Sequence, residues 1–186
     1  MMYAYGSHDL VAQWVAEHIP HCERGFTNCK AIGVLDDEAR IVAGAVYHNW
    51  EPEFGLIEMS VAALPGFNWY TRETMARLYR YPFLGLACQM IVMRLRASYE
   101  RPQRILAVQG YTFTRIARFF GRDEDGIIAT LTYEDWAGNK FNKRFKHHER
   151  NAPQPGSPTP PAERAMPPRP TRPAASPPIL RGQAYG

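Results

Sequence analysis

The chain has 186 residues, a formal net charge of +4 and 16 prolines. Eleven of these prolines follow His148, in a segment with almost no large apolar residues. Such a composition does not bury enough surface to offset the entropy of ordering the chain. We therefore predict one folded domain, residues 1–147, followed by a disordered Pro/Arg-rich tail, residues 148–186.

Charge divides near the same boundary. From Glu149 onward the chain carries five arginines and two glutamates, a net charge of +3 that leaves only +1 for the rest. The basic pI of about 9.0 therefore reflects the tail and does not by itself indicate a nucleic-acid-binding domain. The sequence has no signal-peptide pattern and no apolar run near 18 residues, so we expect a soluble cytoplasmic protein and exclude a membrane protein.

One helix and a hairpin are predicted first. Apolar residues recur at helical spacing over Leu10–Ile19, and Pro20 ends that helix. Two apolar segments rich in β-branched residues follow, Ala31–Leu35 and Ile41–His48. The acidic segment Asp36–Ala39 separates them, which is typical of a hairpin.

The next segment joins a strand to a helix. Ile57–Ala62 reads as a strand, Leu64–Tyr70 as a loop, and a helix begins at Thr71, which Pro82 should end or kink. The first turn of a helix has N–H groups without intrahelical partners, and the helix dipole adds positive potential there. With Arg72 inside that turn, this joint predicts a ligand that carries phosphate.

The second half of the domain contains three strands and one helix. They are a strand over Met90–Leu95, a helix over Arg101–Val108 closed by Gly110, and strands over Thr112–Phe120 and Ile127–Tyr133. The order α, β, β, β, α, β, α, β, β predicts an α/β (α+β) fold whose sheet is mixed and mostly antiparallel, with helical crossovers.

This order of elements resembles the GNAT N-acetyltransferase superfamily, in the small form carried by phages and prophages. The resemblance covers about residues 3–136, and it is carried by Ala31–Val34, Ile41–Asn49, Thr71-Arg72, Tyr81–Phe83 and Gly110-Tyr111. It implies a GNAT-like acyl-CoA N-acyltransferase fold. It also implies direct transfer of an acetyl or other acyl group from acyl-CoA to an amine of a small molecule or a protein.

The resemblance further implies where acetyl-CoA would bind. In that family the strand before the joint separates from the next strand, and acyl-CoA lies in the opening. The cofactor-binding residues implied here are Ser60, Val61 and Ala62 for pantetheine, and Thr71, Arg72 and Glu73 for pyrophosphate. Of the family's glycine-rich phosphate loop this chain has only Gly66, and Trp69 and Tyr70 follow where small residues are usual.

Amine acylation needs a base for the amine and a proton donor for the departing thiolate. Glu58 lies on the strand before the joint and is our candidate base, the alternative being a solvated glutamate on a strand face. Tyr111 is our candidate proton donor, and aromatic packing is its alternative. His48 and Asn49, at the end of their strand, are candidate substrate-binding residues that could instead simply pack.

A second function is indicated by basic residues. Seven arginines could form a basic face that contacts nucleic-acid phosphates: Arg94, Arg96, Arg101, Arg104, Arg115, Arg118 and Arg122. The Lys/Phe segment 140–146 follows them. A phage Mom-like enzyme that modifies a DNA base is therefore an alternative, and a non-catalytic GNAT-like binding module is another. The simpler alternative is a solvated rim balanced by nearby acidic residues.

No metal site is expected. His18, His21, Cys22 and Cys29 lie close in sequence, but their spacing matches no common zinc pattern. If a phage encodes the chain, the cytoplasm of its bacterial host would be its location.

Overall fold

The computed structural model describes residues 1–140 and 142, which build one seven-stranded sheet flanked by helices. The strands are β1 Met2–Ala4, β2 Lys30–Leu35, β3 Ile41–Glu51, β4 Leu56–Ala63, β5 Met90–Arg96, β6 Thr112–Ile116 and β7 Gly126–Thr132. The helices are α1 His8–Glu17, α2 Arg72–Arg80, α3 Glu100–Gln109 and α4 Tyr133–Gly138.

The strands are ordered β1-β2-β3-β4-β5-β7-β6 across the sheet. All neighbouring strands run antiparallel except β4 and β5, which are parallel. The predicted fold class, a mixed and mostly antiparallel sheet with helical crossovers, is therefore confirmed.

The two faces of the sheet are covered by different helices. Since side chains alternate along a strand, Val46 packs against Val11 and Val15 of α1, whereas Tyr47 packs against Leu78 of α2 on the other face. Helix α1 lies close to the sheet because Gly44 has no side chain. A Cβ there would lie 2.7 Å from Val15 Cγ2.

Two elements were missed by the sequence analysis, and one was predicted too long. Strand β1 has only three residues, too few to show a periodic pattern, and it exists through pairing with β2. Strand β6 ends at Ile116 rather than Phe120, because the chain turns at Arg118, whose φ is +58°. Helix α4 begins at Tyr133, where the sequence predicts the end of the last strand.

Near Pro82, where the sequence predicts that the helix ends or kinks, the α-helical hydrogen-bond pattern changes and the helical path continues. A π-helical turn over Tyr81–Gly85 continues α2, and the N–H of Leu86 donates to the carbonyl of Tyr81 at 3.0 Å. This wider turn carries Phe83 into the core beside Tyr79.

None of the helices formed by residues 1–140 has the length and apolar character needed to cross a membrane.

Candidate active site

The sheet opens between β4 and β5. Their pairing covers Leu56–Glu58 against Met90–Val92 and stops there, although both strands continue. Parallel neighbours that separate in this way leave a cleft whose two walls are strand edges. Glu58, the last paired residue of β4, marks the point where the cleft begins.

The open edge of β4 presents backbone groups to this cleft. The N–H of Leu64 donates to Val42 of β3 at 2.8 Å, and N–H directions alternate along a strand. The N–H groups of Met59, Val61 and Ala63 therefore point away from β3, toward the cleft. Among the three predicted pantetheine residues, Val61 thus has its backbone groups at the open edge.

Ser60 and Ala62 occupy different positions from Val61. Their backbone groups pair with β3, and their side chains lie on the α1 face of the sheet. Ala62 is buried against α1, whereas Ser60 is half-buried. A ligand in the cleft could meet Ser60 only through its side chain, because its backbone N–H is directed to β3.

Glu58 has a partner on each carboxylate oxygen. Oε2 lies 2.6 Å from Nη2 of Arg94 on β5, and Oε1 accepts a hydrogen bond from Asn49 Nδ2 at 3.1 Å. The side chain is 21% exposed, so it reaches solvent while its orientation is fixed from both neighbouring strands. Asn49 therefore helps to orient the Glu58 carboxylate.

His48 is buried beside Glu58 and faces Ser60. It is 7% exposed, its Nε2 lies 3.0 Å from Ser60 Oγ, and the Phe26 ring packs on it at 4.9 Å. Burial is the main reason why the pKa of His48 is lowered from its ordinary value. The imidazole is therefore neutral at physiological pH.

The start of α2 is capped from within the chain. Thr71 accepts a hydrogen bond from the N–H of Thr74 at 3.1 Å, which uses one of the donors predicted for a phosphate. Glu73 is exposed and pairs with Arg77 at 2.9 Å. Arg72 is exposed at the first position of the helix, where a cation and the helix dipole both favour an anion.

A groove of about 400 Å³ lies between the joint and α3. It is lined by Tyr70 from the joint and by Arg101, Arg104, Ile105 and Val108 from α3. The Tyr70 hydroxyl accepts a hydrogen bond from Gln109 Nε2 at 2.8 Å, and Gln109 is buried. This bond links the joint to α3.

These features fit an acyl-CoA ligand in part. The edge of β4 offers amide groups to a pantetheine, and arginines on α2 and α3 offer positive charge to phosphates. Gly66 has a φ of +87° and nothing within 4 Å of an added Cβ, so its backbone conformation accounts for the glycine. Arginine side chains near the start of α2 and on α3 would supply charge to the phosphate end of the ligand.

Tyr111 lies in the core rather than in the cleft. It is 5% exposed, and its hydroxyl lies 3.1 Å from that of Tyr79. Burial raises the pKa of Tyr111 well above its ordinary value. This position favours packing over proton donation to a thiolate.

A second groove, of about 720 Å³, runs along α1 and the loop that follows it. Three carboxylates line it: Asp9, Glu17 and Glu23. Phe26, which packs on His48, also lines this groove. Arg24 lines it as well, so its charged lining is three carboxylates and one guanidinium, which together favour a positively charged molecule.

The predicted arginine face is largely neutralised. Four of the seven arginines form ion pairs: Arg94 with Glu58, Arg96 with Glu124, Arg104 with Glu100 and Arg115 with Asp125. This pairing favours a solvated rim over a surface for nucleic-acid phosphates. Most of the Lys/Phe segment 140–146 lies outside the described residues.

No three His, Cys, Asp or Glu side chains within residues 1–140 and 142 come together as a site for a metal ion. Cys22 and Cys29 are half-buried and not joined by a disulfide. Burial raises the pKa of both thiols, which keeps them protonated.

Sequence reasoning missed three residues of the site. Arg94 was assigned to the basic face, because its pairing with Glu58 depends on the β4–β5 register. Tyr70 was noted only as a departure from the glycine loop, and Gln109 was not noted at all. Their hydrogen bond joins residues 39 positions apart, which no local pattern reveals.

No protein-family model and no curated protein matches the sequence. Solved structures do match. Ribosomal-protein-S5-alanine acetyltransferase from Vibrio fischeri has a TM-score of 0.51 and 17% identity, over 58% of this chain and 63% of that one. A putative acetyltransferase from T. thermophilus has a TM-score of 0.53 and 19% identity, over 65% of this chain and 66% of that one.

A third similar structure is the spermidine/spermine N-acetyltransferase SpeG from Vibrio cholerae. Its TM-score is 0.54 at 13% identity, over 70% of this chain and 77% of that one. The chain spans less than two thirds of the length of the first two acetyltransferases. At these low sequence identities, the similarity of the chain to the solved structures concerns the fold alone. The chain has the GNAT acyltransferase fold.

Proposed function

We propose that the protein is an N-acyltransferase that moves an acetyl or other acyl group from acyl-CoA to an amine. The observation that carries this proposal is the separation of β4 and β5 directly after Glu58. It supports a ligand that lies between two strand edges with its reactive end beside a carboxylate. The three similar solved structures, which are described as acetyltransferases, add support from the fold.

The donor would lie along the open edge of β4. Val61 would pair with the pantetheine amides through its backbone, and Arg72, with Arg101, would attract the phosphates. The remaining N–H groups at the start of α2, near Thr71 and Glu73, would add the positive end of the helix dipole. This arrangement orients the thioester toward the point where the cleft begins.

Glu58 would be the base that takes the proton of the attacking amine, directly or through a water molecule. Arg94 and Asn49 hold its carboxylate from either side, so it is oriented before any substrate binds. A protonated amine would compete with Arg94 for Oε2 and would give up a proton to Glu58 before its nitrogen attacks the thioester carbon.

The acceptor we propose is a positively charged amine. The acidic groove along α1 supports this choice, because Asp9, Glu17 and Glu23 would attract cations. A polyamine is one such molecule, and SpeG, one of the structurally similar proteins, is a spermidine/spermine N-acetyltransferase.

The test is an assay of thiol release from acetyl-CoA in the presence of polyamines, amino sugars and peptide N-termini. We expect at least one amine to support turnover, and Glu58→Gln to lower kcat by about 100-fold, since a general base contributes about 10²–10⁴. Glu53→Gln is the control, because Glu53 is exposed in the β3–β4 loop. Equal loss in both variants, or no thiol release with any amine, would contradict the proposal.

A further inference from the structure

The cleft is open to solvent on the face of the sheet that carries Glu58. Helix α1 packs on this face over β2, β3 and β4, whereas α2, α3 and α4 contribute side chains to the core on the opposite face. The residues of β5 and β7 that share the Glu58 face are partly accessible: Val92, Ile128 and Thr130 are half-buried, and the Arg94 side chain is 46% exposed. A dissolved molecule can therefore reach Glu58 and Arg94 from this side.

Glu58 and Arg94 place opposite charges side by side at this opening. Oε2 of Glu58 lies 2.6 Å from Nη2 of Arg94, and the pair joins β4 to β5 at the point where the two strands separate. An ammonium and a carboxylate bonded to the same carbon atom have a similarly close spacing of opposite charges. The pair therefore complements such a molecule, with the ammonium against Glu58 and the carboxylate against Arg94.

The guanidinium of Arg94 has N–H donors that the chain does not use. A guanidinium carries five of them. Within residues 1–140 and 142, its contact with a hydrogen-bond acceptor is limited to that of Nη2 with Glu58. The other N–H groups can bind both oxygens of a carboxylate, which is the bidentate geometry that arginine favours.

The carboxylates that follow β5 in the sheet are already paired with other arginines. Glu124 forms an ion pair with Arg96, and Asp125 forms one with Arg115. An amine that displaces Arg94 from the candidate base would therefore leave the guanidinium without either of these carboxylates as a partner. A carboxylate on the acceptor molecule itself would supply that partner, so two new ion pairs would replace one.

We propose that the acceptor molecule carries a carboxylate on the carbon that bears its reacting amine, and that Arg94 binds this carboxylate while Glu58 binds the amine. The substrate class is thus an α-amino acid, and a basic amino acid keeps the positive charge that the proposed function gives to the acceptor. This inference rests on the proposed function, because Glu58 is its candidate base. It makes Arg94 a substrate-binding residue that determines specificity.

The experiment compares L-lysine with cadaverine, the diamine that lysine becomes when its carboxylate is removed. Both probes are positively charged, so their difference isolates the carboxylate. We expect ligand-observed NMR titration of the full chain to show that lysine binds about tenfold more tightly than cadaverine, because hydrogen bonds between charged groups are the stronger ones. With acetyl-CoA present, mass spectrometry of the product should locate the acetyl group on the α-nitrogen of lysine.

Arg94→Ala should abolish this preference, so that the two probes bind equally. The ratio of their dissociation constants cancels a general effect of the substitution, such as a reoriented Glu58, because that effect applies to both probes. Arg94→Lys, which keeps the charge without the bidentate geometry, should retain part of the preference. Arg115→Ala is the matched control, because it also removes an arginine–carboxylate ion pair, with Asp125 at 2.8 Å, but from the edge strand β6. It should keep the full preference, and circular dichroism checks the folding of each variant.

Three results would overturn the inference: no binding of lysine, cadaverine binding as tightly as lysine to the unmodified chain, or an unchanged preference in Arg94→Ala. Acetylation of lysine on its side-chain nitrogen alone would also overturn it. Failure of the proposed function differs, because it appears as no thiol release from acetyl-CoA with any amine, and the binding comparison does not depend on that reaction. A preference for lysine that requires Arg94 would then retain the amino-acid site and exclude acyl transfer.

Discussion

At the scale of single residues, the alternation of side chains along β4 was readable from sequence. In the structure Glu58 and Ser60 lie on one face of β4, and Ile57 and Met59 lie on the other. This alternation could not reveal which side chain on a neighbouring strand contacts each of these residues. Arg94 reaches Glu58 only because Val92 pairs with Glu58, and that register depends on the whole sheet.

His48 should make stability depend on pH. Its pKa is lowered in the folded protein by burial, whereas in the unfolded chain it is near the ordinary value of about 6.5. Below about pH 6.5 the unfolded chain binds this proton more readily than the folded chain does. The contribution of neutral His48 to stability is therefore complete above that pH, and it is lost as the pH falls toward the pKa of His48 in the folded protein. We expect the melting temperature to fall between about pH 7 and pH 5, and to fall less in His48→Gln.

Calorimetric melting of both proteins across that range measures this difference. The folded groups that face His48, namely Glu58 and Arg94, are the same in both proteins, so the comparison isolates the imidazole. Parallel curves for the two proteins would show that His48 is not buried in a neutral form.

At the scale of elements, local chemistry predicted most boundaries, and tertiary pairing decided the rest. Gly110 closes α3 in the left-handed region, with a φ of +97°, as predicted. Helix α4 had a usable signal that we did not apply: Thr132 accepts a hydrogen bond from the N–H of Asp135 at 3.1 Å, a typical N-cap. The apolar residues before Thr132 predicted a strand, and we extended that strand to Tyr133, the first residue of α4.

The close approach of α1 to the sheet gives a prediction about Gly44. Gly44→Ala places a Cβ within 2.7 Å of Val15 Cγ2 and 3.1 Å of Val11 Cγ1. Because both valines are fully buried, α1 must shift, and overpacking of this kind costs about 1–3 kcal/mol. Urea denaturation should show that loss.

Gly138→Ala provides the comparison, since nothing lies within 4 Å of a Cβ at Gly138. It should leave the free energy of unfolding unchanged or slightly higher, because alanine favours a helix more than glycine does. If both variants have the same stability, α1 is not packed against β3 as described.

At the scale of the whole molecule, the order of elements predicted the fold, but it could not predict the cleft. Strand order β5-β7-β6 and the separation of β4 from β5 are long-range features. The glycine loop that would have marked a phosphate site in sequence is absent, and arginines on α2 and α3 stand nearby instead. Identities to the similar solved structures are as low as 13–20%, so the similarity lies in the fold rather than in the sequence.

The domain boundary also belongs to this scale. Asn142 is 5% exposed and donates from Nδ2 to the carbonyl of Trp136 at 3.0 Å, so the folded unit includes at least this residue. We expect a chain that ends at residue 147 to melt at the same temperature as the full chain. A chain that ends at residue 138 should melt lower, because it loses Asn142 and the bond from Asn139 to the carbonyl of Val108.

Thermal melting of the three chains checks this boundary. A drop in melting temperature on removing residues 148–186 alone would mean that the tail contributes to folding, contrary to its composition.

The most direct test of the acyl-CoA cleft is calorimetric titration of the protein with acetyl-CoA. We predict binding of one molecule per chain, weakened about tenfold in Arg72→Ala, since a charge-assisted contact contributes about 1.5 kcal/mol. Arg80→Ala, an exposed arginine in the last turn of the same helix, should bind as the unmodified chain does. No binding heat at millimolar acetyl-CoA, or equal weakening in the two variants, would contradict an acyl-CoA site between β4 and β5.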